Sequence, residues 1–289
     1  TINNTGGNVS FSNAINIAGN FNINSGSRIN LASGTTSISA ALYFAGVKQA
    51  DGSWGSTSST ATNQNDTYFG PTNGILNVGT VCVPGTWTGT TSTDWNVATN
   101  WCDGSVPISS TNVIIPSGGN QPIIGAAAVC NNITLSSGAT LAITGSNTLT
   151  VSGNWSSAGT FTANSGTVIF NGAAQTMVGA SATTFYNLTL SNTGATTLTT
   201  VPTITNVLSI EGASTVSAAP NYGAAATLQY NTASPRSTSG EWRTPFAATG
   251  GVVIANTGTI TLIQNKVLNA SIPLTINSGA SLSLSTFSL

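Results

Sequence analysis

The sequence predicts an all-β chain wound as a right-handed parallel β-helix, and three observations carry that expectation. Thr (47), Ser (37), Asn (32) and Gly (32) make 148 of the 289 residues, whereas Glu, Lys, Arg and Met together number eight. Such a chain is rich in strand and turn formers and poor in helix formers. A twelve-residue template recurs at three distant places, as Phe21–Ala32, Ile133–Thr144 and Leu274–Ser285. Each copy holds apolar residues at positions 1, 3, 9 and 11, with Ser-Gly at 5 and 6. Period-two alternation makes each half a short strand with one face inward, and the glycine supplies a corner whose backbone angles other residues avoid. Stacked coils of about 20 residues follow, with handedness set by the right-handed preference of parallel crossovers. Tandem β-sandwiches are the alternative, since frequent turn signals suit them as well.

Taken in order, residues 1–79 read as the end of one solenoid module, with coils over 1–39. A closing element follows: a Leu42-Tyr43-Phe44/Val47–Gln49 hairpin turning at Ala45-Gly46, a polar loop from Asp51 to Asn65, and a last strand at 74–78. Trp54 and Phe69 are expected to pack on the end of these coils. Residues 80–111 hold Trp87, Trp95, Trp101, Cys82 and Cys102 and read as a cap and linker. Residues 112–289 read as a second solenoid module stacked on the first and cut off at its C-terminal end. Its inward residues are expected to be Ile133, Leu135, Leu141, Ile143, Leu274, Ile276, Leu282 and Leu284. Corner Asn and Thr side chains can run hydrogen-bonded ladders up the stack.

Charged residues are only 4% of the chain, the net charge is −1 and there is no His. Phosphate neutralisation needs a basic surface, so nucleic acid is excluded as a partner. No leader and no apolar run long enough to cross a membrane is present, so membrane insertion is not expected in this segment. Hydroxyls and amides keep the chain in solution, which suits an extracellular, cell-surface location.

The run Gly85-Thr-Trp-Thr-Gly89, Asp94-Trp-Asn96, Asn100-Trp101, Val106-Pro107 and Asn112–Pro116 resembles the start of a repeat module of very large secreted Bacteroidota surface proteins. Gly153-Asn-Trp155, Gly166–Gly172, Phe185–Leu190, Ala219–Tyr222, Gly240-Glu-Trp242 and Gly251–Ile254 resemble the same family. Residues 38–78, with Leu42–Gly46 and Asp66–Phe69, resemble the closing element of an autotransporter-like solenoid repeat. The resemblance implies export by type IX secretion machinery and a role in adhesion or gliding motility. It implies no catalytic residues.

The residues themselves supply little chemistry. General acid–base work near neutral pH usually draws on His. The carboxylates Asp51, Asp66, Asp94, Asp103, Glu211 and Glu241 are not spaced by one clean coil, so no pair is expected to act together. Asp94 and Asp103 read as turn residues, and Glu241-Trp242-Arg243 as a local ion pair beside a packed ring. No serine lies in a Gly-x-Ser-x-Gly elbow, and no Cys/His pattern suits zinc. No enzymatic activity, cofactor or catalytic residue is therefore expected. A structural Ca²⁺ on Asp51 or Asp66 and loop carbonyls is left open. Thr-x-Thr triplets such as Thr148/Thr150 and Thr259/Thr261 fall too irregularly to predict an ice-ordering array. Six Trp could stack on sugars, but Trp87, Trp95 and Trp101 read first as a lid over the coil stack.

The function expected is thus a structural and adhesive stalk segment, with cell-surface or substratum glycans as partners. A glycan-binding or glycan-cleaving β-helix is the alternative. Three cysteines in an exported chain leave one over. The pairing expected is Cys102–Cys130, which would pin the cap to the first coils. The rival Cys82–Cys102 would leave Cys130 as a small buried hydrophobe.

Overall fold

The computed structural model describes residues 6–79, 83–180 and 182–289. Among the described residues there is almost no helix, and parallel strands stack as β-solenoid coils. The chain divides into two compact units, Thr1–Cys82 and Val83–Leu289.

In the second unit the coils lay parallel strands into continuous walls. The longest wall orders Ala128–Cys130, Thr148–Val151, Thr167–Phe170, Thr184–Leu190, Thr203–Ile210, Thr227–Tyr230, Gly251–Ile254 and Leu274–Ile276. A second wall runs through Val113–Ile115, Ile133–Leu135, Trp155–Ser157, Gln175–Gly179, Ala195–Leu198 and Thr215–Val216. The third is shorter, with Ile123–Ile124, Thr140–Ile143 and Thr160–Thr162. The strand pairs are parallel and run coil on coil, which sets aside the tandem-sandwich alternative. Coil length is not constant. Paired residues are 19 apart at Leu149 and Val168 and 24 apart at Leu228 and Val252.

The alternation expected from the template places the core. Ile133, Leu135, Leu141 and Ile143 are buried, and on the longest wall Leu149, Val168, Leu188, Leu208, Leu228 and Val252 stack as a buried column. Full burial of one such side chain is worth about 1.5–3 kcal/mol. The corner glycines Gly26, Gly138 and Gly279 have φ of 77°, 78° and 84°. That is the left-handed region the template requires.

The copy at the end of the chain departs from expectation. Leu274 and Leu282 are only half-buried, while Ile276 and Leu284 are 45% and 41% exposed. Leu274 and Ile276 stand opposite the buried Val252 and Ile254, and Leu282 opposite the buried Ile260. These residues occupy column positions, but no described coil lies over them. Alternation sets which way a residue faces, and the next coil sets whether it is buried.

In the first unit, Gly7–Ser10 pairs with Ser27–Asn30, and Thr36–Phe44 pairs with both Asn16–Ile23 and Ile75–Val78, all parallel. The hairpin is present: Tyr43 and Phe44 oppose Lys48 and Val47, with Ala45 and Gly46 at φ 48° and 85°. Gly52–Gly55 folds back antiparallel on Ile75–Val78. Trp54 and Phe69 are buried, as expected. They gather on Phe44, with ring centroids at 5.3 and 6.0 Å, while Tyr68 stacks on the same ring at 4.2 Å.

Candidate functional site

All six tryptophans are buried, so none offers an indole face to a sugar. Three of them form the expected lid. Trp101 meets Trp87 at 5.0 Å and Trp95 at 4.7 Å, edge to face in both cases. Its Nε1 donates to the Trp95 carbonyl at 2.7 Å, and Trp87 Nε1 donates to the Asn120 carbonyl. The two glycines of the Gly85-Thr-Trp-Thr-Gly89 motif let the lid sit down on the coils. A Cβ at Gly89 would stand 2.1 Å from the Asn120 carbonyl oxygen, and one at Gly85 2.2 Å from that of Asn112. The organiser of the lid is a residue that sequence reasoning passed over. Asn100 is fully buried. Its Oδ1 accepts from Thr91 N and Ser92 N, and its Nδ2 donates to Ser92 Oγ and the Asp94 carbonyl. Only an Asn whose four bonds are all met belongs in such a place.

The carboxylates are dispersed. Asp94 Oδ1 accepts from Asn96 N at 2.9 Å, the turn role expected of it. Asp51 and Asp103 are exposed. Asp66 accepts from the backbone N and side-chain hydroxyl of Thr57. These bonds, with Arg28 nearby, hold its carboxyl below the usual range. Among the described residues no group of three His, Cys, Asp or Glu side chains could hold a metal ion.

Glu241 is the exception in burial. Its Oε1 accepts from Tyr230 OH at 2.7 Å and Ser239 N at 2.8 Å, and its other oxygen accepts from Ser239 Oγ. Tyr222 OH donates to the Glu241 carbonyl, and the buried Lys266 donates from Nζ to the Trp242 carbonyl at 2.6 Å. Arg243 is exposed, so the expected Glu241–Arg243 ion pair gives way to a hydroxyl-lined carboxylate. Burial first, and the Glu241 charge second, raise the Tyr222 and Tyr230 hydroxyls well above the ordinary tyrosine range. Burial lowers the Lys266 ammonium.

Cys130 corrects the expected bridge. Alternation on Ala128–Cys130 turns its side chain into the column, where it is a fully buried free thiol opposite Val151, and it is not joined to Cys102. Desolvation pushes this thiol up to about 12. Cys82 lies outside the described residues. Maleimide labelling of the native protein at neutral pH is expected to leave Cys130 unmodified until the coils unfold. A Cys130 peptide linked to another cysteine, or labelled at once, would show the assignment to be wrong.

The second wall carries an open polar groove. On its outer face Thr134 stands opposite both Ile114 and Ser156, and Ser156 opposite Val178, forming one row up four coils. An asparagine ladder runs beside it at the corner. Asn132 Nδ2 donates to Asn112 Oδ1 at 2.7 Å, Asn154 N to Asn132 Oδ1 at 2.7 Å, and Thr176 N to Asn154 Oδ1 at 2.7 Å. Row and ladder line an open groove of about 420 Å³ that contains no charged residue.

A family model described as a domain of unknown function (DUF8693) matches residues 86–169, which span the tryptophan lid and the lower coils of this groove. No curated protein and no solved structure matches the chain.

Proposed function

We propose that this chain is a non-enzymatic structural and adhesive segment of a large exported cell-surface protein. It would act as a stiff spacer carrying uncharged contact surfaces away from the cell. The observation that carries this reading is the single unbroken core from Trp87 to Leu262 beneath hydrogen-bonded parallel walls. Within the second unit each coil is held by its neighbours, as suits a segment that transmits load along its stack of coils. The dispersed carboxylates support a passive role, and the family resemblance points to type IX export and to adhesion or gliding. Outer faces of Thr, Ser and Asn make contacts that neither need a counter-charge nor weaken with salt.

Beads coated with the chain are expected to bind bacterial or substratum surfaces equally at low and moderate salt. Loss of adhesion on salt addition would refute the uncharged-contact reading. Reducing ends released from a polysaccharide panel, and abolished by a single Asp or Glu to Ala change, would refute the non-enzymatic one.

A further inference from the structure

We infer that the groove on the outer face of Val113–Ile115, Ile133–Leu135, Trp155–Ser157 and Gln175–Gly179 binds a neutral, linear oligosaccharide lying along the solenoid axis. The inference rests on the adhesive reading above and gives it a ligand class and a site.

The groove leaves polar groups uncommitted in a regular row. Asn112 and Asn154 use their Oδ1 atoms in the ladder, while their Nδ2 atoms have no partner within the described chain. The hydroxyls of Thr134 and Ser156 are likewise unpaired and half-exposed. Ile114 and Val178 close the row at its two ends with aliphatic surface, Val178 being 39% exposed. Alternating donors, hydroxyls and methyls match a sugar chain, whose rings carry apolar C–H faces and a rim of hydroxyls. Four coils give a row about 14 Å long at ~4.8 Å per coil, enough for on the order of three sugar rings.

Charge selects the class. With no Lys or Arg in the groove, a uronate, sulfate or phosphate group has no partner to offset its desolvation. The strand faces, rather than their edges, are on offer. Ile133–Leu135 and Trp155–Ser157 are each hydrogen-bonded on both sides, so an extended peptide cannot add itself as a further strand. Rigid strands hold the row in place before the ligand arrives, which lowers the ordering penalty. Single-groove binding is weak in such a shallow site, and many copies on one surface supply avidity.

The test uses the full chain and a panel of neutral β- and α-linked oligosaccharides of increasing length, with sulfated and uronic-acid oligosaccharides beside them, read by array and calorimetry. Affinity for a neutral series is expected to rise with length and level off near three sugars. Thr134→Lys or Ser156→Asp is expected to weaken it at least tenfold. Thr189→Lys, on the outer face of the other long wall, is expected to leave it unchanged. Circular dichroism checks that each variant stays folded. Binding confined to acidic glycans, or neutral binding that Thr134→Lys does not touch, overturns the groove. If bead adhesion to surfaces persists in that case, the adhesive reading survives it. If the beads adhere to nothing, both fall together.

Discussion

Trp101→Ala is expected to loosen the first coils of the second unit while leaving the later ones intact. The substitution removes a buried indole that contacts Trp87 and Trp95 edge to face, and it leaves the Trp95 carbonyl without its donor. Deleting a buried Trp costs about 3–5 kcal/mol through lost transfer energy and the cavity left behind. In a stack of coils that loss is not spread over the chain, because each coil answers to its neighbours. Amide hydrogen exchange should therefore speed up by about a hundredfold or more in Val113–Ile115 and Ile133–Leu135, and hardly at all in Thr227–Tyr230. Trp101→Phe keeps an aromatic edge but not the hydrogen bond, and should fall between the two. Equal acceleration along the whole unit, or none anywhere, would mean that the lid does not hold the stack.

Much of this architecture is legible in the amino-acid sequence because its signals are local. The Ser-Gly corners at Gly26, Gly138 and Gly279 declare themselves by residue type, and the alternation around Ile133 and Leu141 names the inward face. What stays hidden depends on which residues the winding brings together. Strand pairs in the second unit lie 18 to 24 residues apart, and the row Ile114–Thr134–Ser156–Val178, stepping by 20, 22 and 22, does not stand out against that drift. The Glu241 cluster gathers Tyr222, Tyr230 and Ser239 from around one coil and Lys266 from the next, and only Ser239 stands beside Glu241 in the sequence. Residue type alone does not place Cys130, because a cysteine serves equally as a bridge and as a small apolar residue. Its place on an alternating strand, two residues after Ala128 and just before the Asn131-Asn132 corner, is the signal for an inward thiol. Asn100 carries no signal of this sort, since an Asn beside Trp reads as an exposed turn until its four bonds are seen.

Stability is expected to fall steeply as the pH rises above about 9, from a few buried groups rather than from net charge. Tyr222, Tyr230 and Cys130 all hold their protons more tightly in the folded chain, chiefly because burial disfavours the charged form. The unfolded chain gives up those protons from ordinary values of 9.0 for the thiol and 10.0 for the phenols. Over that range the unfolded state binds fewer protons than the folded one, so stability decreases with pH. Each engaged group contributes about 1.4 kcal/mol per pH unit. Cys130 alone, moving from 9.0 to about 12, removes on the order of 4 kcal/mol by its upper end. Lys266 acts in the opposite sense, because its lowered value makes the unfolded chain the tighter proton binder up to 10.5. Burial lowers Arg236 as well, so two cations oppose three acids; the three acids leave a net loss, and above 10.5 the Lys266 opposition ends. Denaturant unfolding followed by circular dichroism should show the decline, and the tyrosinate absorbance of Tyr222 and Tyr230 should appear only with loss of the β signal. Cys130→Ala should soften the slope between pH 9 and 12. If Tyr222 and Tyr230 ionise while the coils remain folded, burial around Glu241 does not hold their protons.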